Sequence, residues 1–185
     1  MKVILFDIDT LRADHMGCYG YGRDTTPVMD GIAKEGVCFD RYYCPNAPCL
    51  PSRASMVTGL YGIHNGIVGH GGTAADLRLQ GESRSFTDLV SENGLFMQFK
   101  RAGLHTVSFS SFAERHSAWW FLSGLDEYYN PGLRGGESAD MVTPAVLNWL
   151  ERNREMEDWF LHVHYWDPHT PYRTPEGVKS QFQDE

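Results

Sequence analysis

The sequence predicts an α/β fold, a doubly wound, mostly parallel sheet with helices on both faces. Three observations carry this. Residues 3 to 7 form an unbroken apolar run that ends in a carboxylate, as expected of a strand buried on both faces. The stretches "HTVSFSS" (105–111) and "WFLHVHYWD" (159–167) are β-branched and aromatic and read as further strands. Between the strands lie stretches with helix start and stop signals, and strands that alternate with helices imply right-handed βαβ crossovers.

The elements follow in order. After the first strand, "GCYGYGRDTTP" (17–27) is rich in Gly and turn residues and reads as loop. Thr26 and Pro27 suit an N-cap and a first helical position, opening a helix to Glu35 with Gly36 as its stop. "VCFDRYYC" (37–44) has strand composition. Pro51 fits the first turn of a helix that runs to Thr58 and stops at Gly59. Residues 61–85 show no period and read as a long surface loop. A helical pattern covers Phe86 to Ala102, interrupted at Asn93-Gly94. Gly135 to Ser138 lead into a last helix, "ADMVTPAVLNWLERN", apolar at Val142, Val146, Leu147 and Leu150. No internal repeat or linker divides the 185 residues, so they read as one domain.

Composition excludes several classes. A hydrophobic fraction of 42% is enough for a core, and 16 basic against 24 acidic residues give a net charge of −8. No basic stripe is present for a nucleic-acid backbone. No apolar run is long enough to span a membrane, and the N-terminal run is too short for a signal peptide. As written the chain reads as cytoplasmic, with export of a full-length parent left open. The four cysteines lack zinc-like or disulfide spacing, and Cys18, Cys38 and Cys44 read as small buried hydrophobes.

In a parallel sheet, ligands sit beyond the carboxyl ends of the strands. That rule gathers Asp7 and Asp9, Ser110 and Ser111, and Asp167 and His169 at one edge. Asp7 and Asp9 face the same way along an extended chain, and two such carboxylates repel unless a cation lies between them. Cys49 stands just ahead of the Pro51 helix, whose free N–H groups suit an anion and lower a thiol's pKa. Arg53 adds a planar fork for an oxyanion. His169, in "DPHTPY", is placed to donate to a leaving oxygen. His162 and His164 alternate on one strand face and read as packed or hydrogen-bonded side chains, and "FAERHSAWWF" (112–121) reads as packing and solvated charge.

The segments "FDIDTLRADHMGCYGYGRDTTP", "APCLPSRASMVTG" and "WFLHVHYWDPHTPY" resemble, in order, the type I sulfatases of the alkaline phosphatase superfamily. The resemblance implies an alkaline phosphatase-like fold and the hydrolysis of a sulfate monoester on a small molecule or glycan. It implies that Cys49, in Cys49-Leu50-Pro51-Ser52-Arg53, is oxidised to 3-oxoalanine (formylglycine) by a maturation enzyme. One hydroxyl of the hydrated aldehyde then attacks sulfur, and the other allows sulfate to be released. Catalytic roles fall to Cys49, Arg53 and His169. A divalent cation, calcium with magnesium as the alternative, falls to Asp9, Asp7 and Cys49.

Departures from the family pattern are specific. Thr10 stands where many members have a second aspartate, and Asp7 is the candidate to compensate. "SFSSFAERH" replaces the usual Lys-x-His, with His116 a weak substitute. No segment matches the later Asp-Asn pair or lysine. The resemblance therefore covers the N-terminal portion of a catalytic domain, truncated and expected to be inactive alone. The alternatives are a phosphodiesterase or phosphonate monoester hydrolase of the same superfamily, and a non-catalytic sulfatase-like binding protein.

Overall fold

The computed structural model describes residues 1–77, 89–172 and 174. Among the described residues four strands form one parallel sheet in the order β1-β4-β2-β3: β1 Lys2–Ile8, β2 His105–Phe109, β3 Glu127–Tyr129 and β4 Trp159–Tyr165. The expected parallel sheet is present, and β3 is an addition that its three residues were too short to announce. Among the described residues the α-helices are α1 Pro27–Glu35, α2 Cys49–Thr58, α3 Gly62–Asn65, α4 Leu89–Asn93, α5 Leu95–Arg101, α6 Phe112–His116 and α7 Ala139–Arg152. Among the described residues no helix is long and apolar enough to cross a membrane.

Both faces of the sheet are covered at β2 and β4, because alternate residues of β4 enter different cores; β1, at the end of the described sheet, leaves Ile4 and Phe6 exposed, so it is not buried on both faces as its apolar run suggested. Phe160 packs with Leu50, Ala54 and Val57 of α2, Phe96 of α5 and Phe112 of α6. Leu161 and Val163 pack on the other face with Val107 and Phe109 of β2 and with Val142, Val146 and Trp149 of α7. Period two on the strand and period 3.6 on the helix therefore agree. Trp149 supplies the buried contact that was expected of Leu147, which is exposed.

The chain divides into two compact units, Met1–Asp9 with Pro45–Glu185, and Thr10–Cys44. The smaller unit is organised by Asp30 of α1. Its carboxylate accepts from the Cys18 backbone N–H at 2.8 Å and from the Thr26 hydroxyl at 3.1 Å. A Cβ at position 17 would lie 2.3 Å from the Asp30 carboxylate, so any other residue there would have to displace it.

Several expectations need correction. Residues 37–44 are not a strand; Val37, Tyr42 and Tyr43 are about 80% exposed, and no neighbouring strand pairs with them. Strand composition describes side chains that fit a half-buried pleated surface, and here no such surface is offered. Cys38 and Cys44 are exposed and Cys18 is half-buried, so none of the three is a core residue. The expected loop after residue 60 contains α3 and buries Gly62, Asn65 and Ile67; its residues 78–85 lie outside the described residues. The helix expected from Phe86 is two helices, α4 and α5, which meet at Gly94. Phe86 to Asp88 lie outside the described residues.

Candidate active site

The sheet face that carries α2 changes character along its strands. On β1 it runs from Val3 and Leu5 to Asp7, with Asp9 just beyond. On β4 it runs from Phe160 to His162 and His164, and on β2 from Thr106 to Ser108, with Ser110 next. Apolar side chains hold the amino-terminal half of the face to the helices. The polar ones collect at the carboxyl ends and meet across the ladder, where Asp7 is in register with His164, and Ser108 with His162.

Arg53 is the centre of this polar patch. It lies one turn into α2 from Cys49, and its side chain is 8% exposed. Its Nε and Nη2 donate to the two oxygens of Asp7 at 2.6 and 2.7 Å, and Nη1 donates to Asp9 Oδ2 at 2.8 Å. The guanidinium also lies 5.1 Å from the Phe112 ring centroid and 5.9 Å from that of Trp166. The cation that two neighbouring carboxylates require is thus, in part, supplied by the protein itself. A lysine would not do the same, since only a planar fork can hold both carboxylates and stack on aromatic faces.

Hydrogen-bond logic assigns the buried histidines. Arg53 Nη2 lies 2.9 Å from His164 Nε2 and can only donate, so Nε2 accepts. The ring proton then sits on Nδ1 and goes to Ser110 Oγ at 3.0 Å. Complete burial, with the positive Arg53 adjacent, keeps His164 neutral, its pKa well below the ordinary histidine value. His162 is oriented the other way: Nε2 donates to Asp7 Oδ2 at 3.5 Å, and Nδ1 accepts from Ser108 Oγ at 2.8 Å. Burial pushes the Asp7 carboxyl up, but the His162 hydrogen bond and the Arg53 charge outweigh it and hold Asp7 ionised, well below the usual carboxylate range.

Cys49 occupies the first turn of α2, two residues earlier than Pro51 suggested. Its Sγ lies 3.3 Å from His70 Nε2 and 3.6 Å from His116 Nε2. The Leu50 backbone N–H, free of any helical partner in this first turn, points at the same His70 nitrogen at 3.3 Å. His116 is held neutral: burial, then the nearby His70, Arg115 and Arg53, lower its pKa to about 4. The thiol itself is not activated. Burial and the Asp9 carboxylate push its pKa up, against the expectation from the helix terminus, and Arg53 only partly offsets them. As an unmodified thiol, Cys49 is therefore a poor nucleophile at neutral pH.

The structure thus brings Asp7, Asp9, Arg53 and Cys49 into one unit of the chain. His169 stands farther along the loop after β4. Its Nδ1 donates to the Thr170 carbonyl at 2.7 Å, and its ring meets Trp166 edge-on at 5.5 Å. Asp167 accepts from the Ala139 N–H at the start of α7, and Ser111 accepts from the Gly135 N–H and the Trp166 indole, so both shape the loops around the site. His70 was missed, because a lone histidine in a glycine-rich stretch carries no local signal. His116, His162 and His164 were seen as residues, but their partners were not.

Among the described residues no three of His, Cys, Asp and Glu are arranged to hold a metal ion. The donor set nevertheless suits a hard cation in kind. Two carboxylates meet at one guanidinium, and carboxylate oxygens are the ligands that calcium and magnesium take.

Comparison with known proteins places this arrangement. The chain matches the sulfatase family over residues 2–185. It is 29% identical over 179 residues to an N-acetylglucosamine-6-O-sulfatase of Bacteroides thetaiotaomicron, covering 91% of this chain and 30% of that protein. It is 37% identical over 66 residues to human arylsulfatase A, covering 36% of this chain and 13% of that one. In fold it is similar to a solved protein in complex with its substrate D-glucosamine-2-N,6-O-disulfate, with a TM-score of 0.64 at 24% identity over 92% of this chain and 35% of the other. It is similar in fold also to the phosphonate monoester hydrolase of Agrobacterium radiobacter, with a TM-score of 0.66 at 22% identity over 95% and 42%. The family match runs almost from end to end and includes the Cys49 helix with its buried arginine, and on that ground the chain belongs to the sulfatase family.

Proposed function

We propose that this chain carries the nucleophile end of an enzyme that hydrolyses sulfate monoesters, with a sulfated glycan as the favoured substrate class. The observation that carries the reading is the pairing of Cys49, in the first turn of α2, with Arg53 one turn on, buried and fixed by two carboxylates. The chain spans under half the length of the relatives described above. The activity is therefore assigned to the whole protein, and the 185 residues alone are expected to be inactive.

In this reading a maturation enzyme converts Cys49 to formylglycine, whose hydrated aldehyde supplies paired hydroxyls for attack on sulfur and for release of sulfate. Asp9, with Asp7 and the side chain at 49, would hold a divalent cation, calcium first and magnesium second, which would supply positive charge to neutralise the ester. Arg53 presents a fixed positive charge beside residue 49 and orients it. His116, neutral and 3.6 Å from Sγ, and His70, at 3.3 Å, are the groups placed to hold or pass a proton at that side chain. His169, on the loop after β4, is the residue proposed to meet the departing ester oxygen. Trp166 separates it from Arg53 and fixes the wall between them.

The test is the full-length protein with a matured residue 49, assayed on matched aryl sulfate, aryl phosphate and aryl phosphonate esters. Sulfate should be cleaved fastest. A faster phosphonate or phosphate diester rate would favour the hydrolase reading that the Agrobacterium radiobacter fold similarity keeps in view. Absence of turnover on all three would leave a binding protein.

A further inference from the structure

Two guanidiniums stand at the site, and the fold uses them differently. Arg53 turns its donors inward: Nε, Nη1 and Nη2 go to Asp7, Asp9 and His164. Arg115 of α6, one residue before His116, commits only Nη1, to the Arg134 carbonyl at 2.8 Å. A guanidinium carries five N–H donors in a rigid fork. Among the described residues the remaining donors of Arg115 meet no acceptor, and no carboxylate lies within ion-pair distance of it. The nearby carboxylates are engaged elsewhere. Glu114 accepts from Asn130 Nδ2 at 2.9 Å and faces Arg134 Nε at 3.9 Å, and Glu137 accepts from the Gly135 N–H at 3.1 Å. In a chain of net charge −8, a half-buried cation without a counter-ion stands out.

The fork is also held in place. The Arg115 guanidinium lies 4.8 Å from the Trp166 ring centroid. The same indole lies 5.9 Å from the Arg53 guanidinium, 5.5 Å from the His169 ring and 6.4 Å from the His116 ring. Arg115 therefore shares one aromatic plate with residues of the proposed site. Gly135 leaves the room for it: a Cβ there would come within 2.7 Å of Arg115 Nη1 and 3.2 Å of Trp166. The polar neighbours of Cys49 Sγ are His70 and His116. Arg115 is not among them, yet its positive charge is felt at both His116 and the thiol.

We propose that Arg115 is a specificity residue that receives a second anionic group of the substrate, a sulfate or carboxylate next to the ester that is cleaved. This rests on the sulfatase reading above and narrows its substrate class to glycans with at least two anionic groups. A planar fork with unused donors matches two oxygens of such a group at once. The reacting sulfate must lie against residue 49, and Arg115 makes no contact with that side chain, so it addresses a neighbouring group. Stacking on Trp166 fixes the fork beforehand and lowers the entropy cost of binding.

The test uses the full-length protein and disaccharides of one backbone that carry a single sulfate, a second sulfate, or a sulfate with a neighbouring carboxylate. Binding is measured by calorimetry on protein whose Cys49 is left unmatured, and kcat/KM on matured protein. Wild type should favour both doubly charged ligands over the singly charged one by about 10- to 100-fold, the worth of a charge-assisted bidentate contact, with the difference in KM. Arg115→Gln should abolish that preference. No preference in wild type, or an undiminished one in Arg115→Gln, would overturn the proposal. An equal loss on all three ligands would also overturn it, since Arg115 would then serve the reacting sulfate. A wild type that binds the ligands but hydrolyses none would refute the sulfatase reading, while the binding ratios would still decide the role of Arg115. If Arg115→Gln does not fold, Arg115→Met, which keeps an unbranched stem beside Trp166, undergoes the same measurements with the same outcomes.

Discussion

Replacing Ser110 by alanine removes one oxygen from the molecule, and two buried donors depend on it. Ser110 Oγ accepts the His164 Nδ1–H at 3.0 Å and the Phe112 backbone N–H at 3.0 Å. Both serine and histidine are buried to within 1% of complete, so water cannot replace the lost acceptor. Each buried donor left unsatisfied costs about 1–3 kcal/mol, which puts Ser110→Ala at about 2–6 kcal/mol. The volume change is one hydroxyl, so a cavity contributes little. That loss is a large share of the roughly 5–15 kcal/mol that holds a typical domain folded. Urea unfolding followed by tryptophan fluorescence measures it, and the midpoint should fall with an unchanged slope. Ser110→Thr keeps the oxygen and should recover most of the loss. A Ser110→Ala cost below about 0.5 kcal/mol, the level of an ordinary surface change, would refute the tautomer assigned to His164 and the argument that it accepts from Arg53. A Thr variant as poor as Ala would show that packing, rather than the hydrogen bond, was lost.

Two further outcomes follow from the site. Coexpression with a formylglycine-generating enzyme should replace the Cys49 thiol by an aldehyde, seen in the mass of the peptide spanning residue 49 and captured as a hydrazone; an unmodified thiol in every competent host would sink the maturation reading. Acid should destabilise the protein in two windows. His116 is neutral in the fold down to about pH 4 but takes a proton near 6.5 when unfolded, and His164 is depressed in the same sense, so their contribution is complete above about 6.5 and is lost as pH falls toward 4. Asp7, whose folded pKa is depressed, keeps its contribution until pH drops below the ordinary carboxylate range near 3.8. His116→Asn should flatten the slope of stability between pH 6.5 and 4 and leave the lower window intact; an unchanged slope would mean that His116 is protonated in the folded protein.

The alternation of strands and helices, the places of β1, β2, β4, α1 and α7, and the break at Gly94 were all legible in the sequence. Each depends on residues a few positions apart: an apolar run, a proline at a first turn, a glycine stop. Cys49, Arg53, Asp7 and Asp9 were legible as candidates for the same reason, since a strand's period of two and a helix's period of 3.6 place them locally. Residues 37–44 show where that logic ends, because strand composition becomes a strand only when a neighbour offers an edge and a surface to bury against. What only the tertiary structure decided is how the candidates are used. Arg53 reaches Asp7 across 46 positions and His164 across 111, and Cys49 meets His70 and His116 across 21 and 67. No local spacing encodes such distances. They arise because β1, β4 and β2 lie side by side and turn the ends of one face toward α2, and that register puts a guanidinium between two carboxylates, a neutral histidine at its Nη2, and a thiol whose pKa is raised by burial instead of lowered by its helix.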